Sequence, residues 1–169
     1  ITAGYDHTVA LTEDGYVFAW GCNFMGQIGN NSLVDSLMPV QVLSGEQGGG
    51  IYLHDIAHIA TAGYHNLALA ADGTVYSWGY NVAGQLGNGT TTDSSAPVDV
   101  SGLPHGIVAI TVGTYHSCAL SSVGGVTCWG AIASRQLADG GLQSTFALTP
   151  LQVPGLATGV ASISAGFGS

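Results

Sequence analysis

The sequence predicts an all-β protein, a β-propeller of about three blades with the start of a fourth. Three observations favour this fold class. One segment pattern returns at a long, regular spacing, its strand-like runs are apolar at nearly every position, and no stretch keeps a helical periodicity. A β-solenoid is the structural alternative, but solenoid repeats are usually shorter than these.

The repeat is clearest in its aromatic and histidine positions, and its tryptophans are 58 and 51 residues apart. A fixed period of about 20 to 50 residues is typical of repeat architectures, and an insertion in the first unit accounts for the longer spacing. The equivalent tryptophans are Trp20, Trp78 and Trp129, and the equivalent histidines are His7, His65 and His116. From this spacing we predict a single repeat domain over 1–169, with blade units at 1–58, 59–109 and 110–162 and a stub at 163–169.

Each unit opens on a short strand of small residues, such as Ile1-Thr2-Ala3-Gly4, that suits a crowded central axis. A hairpin follows, with strands predicted near 8–11 and 16–20 in the first unit. The Asp14-Gly15 pair between them is a typical tight-turn signal. Because the hairpin strands are apolar throughout, both of their faces should be covered, as they are between neighbouring blades.

Two segments break the repeat. The first unit contains a glycine-rich insertion at 44–55, and the third unit diverges over 131–146. Partner selection by a rigid repeat scaffold usually resides in such loops. We therefore predict Tyr52, His54, Arg135 and Phe146 as contacts of a protein partner, because aromatic and arginine side chains are frequent interface anchors.

The recurring elements Ala-Gly-x-x-His, Asp-Gly, Trp-Gly-x-Asn, Gly-Gln-Leu-Gly and Pro-x-x-Val closely resemble the regulator of chromosome condensation (RCC1) repeat. The resemblance covers essentially the whole chain and implies blades of a seven-bladed propeller. In the third unit Ile132, Arg135 and Ala138 replace residues of the motif, so that loop should differ in shape. Three units cannot close such a ring, so either further blades are missing or copies of the chain associate.

Composition argues against several classes of partner. The chain has one Lys or Arg and 10 carboxylates, giving a formal net charge of −9. Such a charge repels nucleic acids and anionic membranes, and no apolar run reaches the length of a spanning helix. We therefore expect neither a nucleic acid nor a membrane as partner.

The repeated histidines and tryptophans are predicted to be structural. Equivalent positions lie a blade apart, too far for histidines to share one metal ion, so they should form buried hydrogen bonds. The tryptophans should pack between blades. With neither a catalytic motif nor a paired-carboxylate arrangement in view, we expect no enzyme, no metal and no cofactor.

Cys118 and Cys128 are placed opposite each other by the third predicted hairpin, where a cross-strand disulfide is possible, with two buried thiols as the alternative. A disulfide would favour an extracytoplasmic or secreted location. The leading functional expectation is a non-catalytic protein-binding scaffold. The alternatives are guanine-nucleotide exchange on a small GTPase, which the resemblance suggests, and a self-assembling structural protein whose partial rings join at open edges.

Overall fold

A computed structural model describes residues 1–131 and 146–166 of the chain. In this part of the chain, twelve strands form three antiparallel sheets of four strands each, and each sheet follows sequence order. The sheets comprise β1 (Thr2–Ala3), β2 (His7–Leu11), β3 (Val17–Gly21) and β4 (Ser36–Gln41); β5 (Ile56–Ala62), β6 (His65–Ala70), β7 (Val75–Gly79) and β8 (Ser94–Asp99); and β9 (Ile107–Val112), β10 (His116–Ser121), β11 (Val126–Ala131) and β12 (Phe146–Gln152).

The predicted all-β blade architecture is confirmed, and the ring is not closed. The first strands of the sheets adjoin one another, since β1 contacts β5 and β5 contacts β9. These strands therefore form the inner edge of the array, and β4, β8 and β12 form the outer edge. No helix among the described residues has the length and apolar character needed to cross a membrane.

The hydrophobic core lies between the sheets. One cluster fills the space between the first and second sheets around Val9, Ile28 and Trp78, and another fills the space between the second and third sheets around Leu67 and Trp129. Every residue of β6 is buried, whereas β2 alternates between buried and half-buried positions. Every residue of β10 is buried as well. The second sheet lies between the other two, and the third is also contacted by Val160 and Ile163 after β12, whereas the first sheet has a described neighbour on one face.

Candidate protein-binding face

The strand connections divide between two ends of the sheets. The turns from β1 to β2, β5 to β6 and β9 to β10 lie at one end, together with the long loops that follow β3 and β7. We call this end the loop face. The tight β2–β3, β6–β7 and β10–β11 turns and the insertion at 44–55 lie at the opposite end, because antiparallel strands reverse direction at each connection.

The predicted structural histidines link successive sheets. His7 in the first sheet contacts Asn66 of the second through its Nε2, at 2.8 Å from Oδ1, and His65 in the second contacts Ser117 Oγ of the third at 2.9 Å. His116 is also buried. Burial lowers the pKa of His7, and full burial, with smaller contributions from the neighbouring histidines, lowers the pKa of His65 to about 3.

The predicted packing role of the tryptophans has a specific geometry. Trp78 Nε1 donates to the Gln27 carbonyl at 3.0 Å, and Trp129 Nε1 donates to the Gln85 carbonyl at 2.8 Å. Both indoles are fully buried, whereas Trp20 of the first sheet is half-buried. Each Gly-Gln-x-Gly loop thus docks on the tryptophan of the following sheet.

Two buried asparagines hold the long loops of the loop face. Asn81 Oδ1 accepts the Leu86 N–H at 2.9 Å, and its Nδ2 donates to the carbonyls of Thr90 and Thr92 at 3.1 and 2.9 Å. Asn23 makes the equivalent contacts in the first sheet. The loops are therefore fixed by side-chain hydrogen bonds from inside, which gives them a defined shape.

The turns of the loop face approach the ends of the third strands closely. The turn carbonyl of Asp6 accepts the Cys22 N–H at 2.8 Å, and that of Tyr64 accepts the Tyr80 N–H at 3.0 Å. This approach requires glycine at position 79, where φ is 103° and a Cβ would collide with the Tyr64 carbonyl. The Trp-Gly pair of the motif thus positions the tyrosine-bearing turns.

Five aromatic side chains lie on the loop face in two contact groups. Tyr5 and Phe24 pack edge-to-face on Tyr64, with ring centroids 5.0 and 5.2 Å away, and Tyr80 and Tyr115 lie 6.4 Å apart. Tyr5 is 41% exposed, and Phe24 and Tyr115 are each 48% exposed. We call this set, Tyr5, Phe24, Tyr64, Tyr80 and Tyr115, the aromatic cluster.

The aromatic cluster was not predicted from the sequence, because the predicted partner contacts came only from the two segments that break the repeat. A usable signal was present, since the turn between the first two strands of each unit contains a tyrosine, at Tyr5, Tyr64 and Tyr115. The turns project from a rigid frame, which is the usual position of binding residues.

The insertion at 44–55 packs along the second sheet. Glu46 Oε2 accepts the Asp99 N–H at 2.7 Å, and Leu53 is fully buried. Tyr52 is 40% exposed, and its backbone forms an isolated antiparallel β-bridge with Leu43. His54 contacts Asp55 Oδ2 at 2.8 Å through Nδ1. The insertion therefore braces two sheets and also presents the predicted contact residues.

The structure does not bring the predicted contact residues together. Tyr52 and His54 lie at the end opposite the loop face, whereas Phe146 begins β12 beside Ala131 at the loop-face end and is 40% exposed. Arg135 lies outside the described residues, as do Ile132 and Ala138 of the divergent loop.

The disulfide predicted in the third sheet is present. Cys118 and Cys128 are direct partners in the β10–β11 register, with Cα atoms 4.1 Å apart, and Cys22 is a free cysteine. Within residues 1–131 and 146–166, no group of three His, Cys, Asp or Glu side chains is arranged to hold a metal ion.

Comparison with known families agrees with this architecture. Residues 72–120 match one family model of the regulator of chromosome condensation (RCC1) repeat, and residues 1–27 and 56–85 match a second. The human probable E3 ubiquitin-protein ligase HERC6 is 37% identical over 142 residues, which cover 81% of this chain and 13% of HERC6. The ultraviolet-B receptor UVR8 of Arabidopsis thaliana is 31% identical over 144 residues, covering 83% of this chain and 31% of the receptor.

Solved structures show the same fold. Prp20p from Saccharomyces cerevisiae superposes with a TM-score of 0.80 at 23% identity, over 98% of this chain and 41% of Prp20p. Human WBSCR16 superposes with a TM-score of 0.73 at 26% identity, over 90% of this chain and 36% of WBSCR16. The chain thus spans less than half the length of each of these relatives and structures.

One functional expectation is corrected by these relatives. The sequence contained no recognised catalytic constellation, and we expected no enzyme. The relatives include named ubiquitin ligases, so this exclusion is wrong. The physical reason for the error is that a repeat domain carries no signal of the activity of the proteins in which it occurs.

Proposed function

This chain belongs to the RCC1 repeat family, and on that premise we propose that it is a protein-binding propeller segment that engages its partner through the loop face. The observation that carries the proposal is the exposed aromatic cluster, supported on loops whose shape is fixed by Asn23, Asn81 and the Trp-Gly pairs. Yeast RCC1 (Prp20), a structural neighbour at 25% identity, is itself known in a complex with the protein Kap60.

The physical case rests on rigidity and on aromatic area. Tyrosine and phenylalanine are enriched at protein interfaces because they bury much apolar surface while losing little conformational entropy. The turns that carry Tyr5 and Tyr64 are held by backbone hydrogen bonds of 2.8 to 3.0 Å, so few rotamers are frozen when a partner binds.

Quantitative affinity capture from cells that make the protein tests the proposal. We expect at least one protein to be retained by the natural chain and lost when Tyr5→Ser and Phe24→Ser are combined. Tyr16→Ser is the matched control, because Tyr16 is an exposed tyrosine at the opposite end of the first sheet. If no captured protein distinguishes the two variants, the loop face is not the binding surface.

A second candidate function is favoured by the ligase relatives. In this second function, the propeller binds proteins that a ubiquitin-ligase activity then ubiquitinates. Ubiquitination of the captured partner in cells should fall with the Tyr5→Ser and Phe24→Ser pair and persist with Tyr16→Ser. Equal ubiquitination with all three proteins would argue against a recruiting role.

A further inference from the structure

Among the described residues, the charged side chains around the aromatic cluster are all carboxylates. Asp6 follows Tyr5 in the first turn, Asp35 ends the long loop of the first sheet, and Asp93 occupies the equivalent place in the second. All three are exposed. The only cationic Lys or Arg of the chain, Arg135, lies outside the described residues.

The carboxylates are held in place by the loops. Asp35 Oδ1 accepts the Asn23 N–H at 2.8 Å, and Asp93 Oδ1 accepts the Asn81 N–H at 2.7 Å. The Tyr64 hydroxyl donates to Asp6 Oδ2 at 3.3 Å. Carboxylates and aromatic rings are thus fixed beside each other on one surface.

From this juxtaposition we propose that the loop face binds a protein segment that presents arginine, with the guanidinium placed among Tyr5, Phe24 and Asp6. The inference rests on the proposed protein-binding function and specifies its partner chemistry. Arginine fits both the aromatic rings and the carboxylates, because its planar guanidinium stacks on aromatic faces and forms paired hydrogen bonds with carboxylates. A net charge of −9 also steers cationic partners toward the chain and repels anionic ones.

Other surfaces of the described chain fit an arginine less well. The opposite end of the sheets has carboxylates at Glu13, Asp14 and Asp72, but its exposed tyrosines, Tyr16 and Tyr52, make no ring contact with another described aromatic. Only the loop face combines packed aromatic rings with carboxylates in the described residues.

Cys22 provides a native reporter at this site. Its backbone N–H donates to the Asp6 carbonyl at 2.8 Å. Cys22 is a free cysteine, whereas the other two cysteines of the chain form the disulfide. Burial, followed by the carboxylates of Asp35 and Asp6, raises the pKa of the Cys22 thiol. A bound guanidinium offsets these negative charges, so it should lower that pKa.

The binding test uses a fluorescein-labelled peptide of four arginines separated by Gly-Ser pairs, with glutamate and lysine peptides of the same spacing as comparisons. We expect the arginine peptide to bind most tightly. Its affinity should fall about tenfold with Tyr5→Ser plus Phe24→Ser, as for loss of two interface aromatics, and it should be unchanged with Tyr16→Ser. Circular dichroism and the Tm should match among the three proteins.

Two further measurements distinguish a specific arginine site from nonspecific electrostatic binding to an acidic protein. Asp6→Asn should lower the affinity for the arginine peptide. Binding of that peptide should also lower the pKa of Cys22, measured by thiolate absorbance. The proposal is overturned if the aromatic double variant binds the arginine peptide as well as the natural chain does, or if the glutamate peptide binds equally. If a cellular partner depends on Tyr5 and Phe24 but the arginine peptide does not bind, protein binding stands and only the arginine chemistry fails.

Discussion

At the scale of single residues, the molecule places neutral histidines where charge is most costly. His65 lies between two sheets with no accessible surface and contacts Ser117 Oγ through Nε2. A protonated ring there would lose hydration without gaining a carboxylate, since the larger effects on its pKa are burial and the neighbouring histidines. The histidine is therefore a neutral hydrogen-bonding link, and acid should weaken it.

We expect the free energy of unfolding to fall as the pH drops from 6.5 toward 3. The unfolded chain takes up a proton near pH 6.5, whereas folded His65 resists protonation until about pH 3, so the unfolded state binds more protons in this window. The slope should reach about 1.4 kcal/mol per pH unit from this residue alone. Urea unfolding between pH 4 and 7.5 measures it.

His65→Gln removes the titrating group and should flatten the acid dependence. His105→Gln changes an exposed histidine and serves as the control. If the two variants have the same pH dependence as the natural chain, inter-sheet histidines do not govern acid stability.

At the scale of strands and loops, the Cys118–Cys128 pair closes the hairpin of the third sheet. A cross-link between directly paired strands restricts the unfolded chain more than the folded one. For a loop of this size the expected stabilisation is about 3 kcal/mol. We further propose that the protein works in an oxidising compartment, where such a bond persists.

Reduction should therefore lower the Tm of the natural chain by several degrees in calorimetry. Cys22→Ser should show the same loss on reduction, because Cys22 takes no part in the bond. A chain with Cys118→Ala and Cys128→Ala should be insensitive to the reductant. Free thiols at both positions in non-reducing mass spectrometry would remove the basis for this prediction.

The insertion has a buried part and an exposed part. Its buried Leu53 and its Glu46 contact with β8 belong to the fold, whereas the glycines at 48–50 are exposed. Deleting residues 48–49 retains the Gly50 carbonyl, which accepts the Ser44 hydroxyl at 2.8 Å. This deletion should leave the Tm within a few degrees, because no buried apolar area is lost. If Tyr52 and His54 contact a partner, its affinity should fall in the same variant by isothermal titration, and an unchanged affinity would count against these two residues.

The strands and turns could be predicted from the sequence, whereas the aromatic cluster on the loop face could not. The Trp-Gly pair recurs in all three units, and a glycine with positive φ recurs in each hairpin turn, at Gly15, Gly73 and Gly124. Each sheet repeats these local conformations, so the repeat in the sequence reveals the blades directly. The aromatic cluster depends on which turns adjoin in space: Tyr5 and Tyr64 are 59 positions apart in the chain, and only packing of the sheets brings their rings to 5.0 Å. The Gln27-to-Trp78 bond likewise joins different units.

At the scale of the whole molecule, the backbone hydrogen bonds from the long loops to the next sheet occur at equivalent positions. The long loop of the first or second sheet donates to the outer strand of the next sheet, at the residue that follows the partner of the Trp-Gly glycine. Asn31 N–H donates to the Ser95 carbonyl at 2.8 Å, and Gly89 N–H donates to the Leu148 carbonyl at 2.9 Å. Leu37 is the equivalent residue of the first sheet, by the register of Ser36 with Gly21. It is 95% exposed.

The flank of the first sheet formed by Leu33, Val34, Leu37 and Met38 therefore corresponds to the part of β8 and β12 that the loop of the preceding sheet contacts. These side chains are 60 to 95% exposed. An apolar patch of this kind favours association. We expect copies of this chain to associate through the flank in solution.

Light scattering on a size-exclusion column should give a native mass above that of one 17.0 kDa chain. Leu37→Ser with Met38→Ser should restore the monomer, because the flank then loses its apolar contacts, whereas Val123→Ser, an exposed apolar residue in a β10–β11 turn, should not. A monomer in all three samples would mean that an arc of three sheets is stable with its flank in water. The apolar clusters between the sheets, together with the inter-sheet hydrogen bonds of His7, His65, Trp78 and Trp129, would then suffice to hold the arc together without a fourth neighbour.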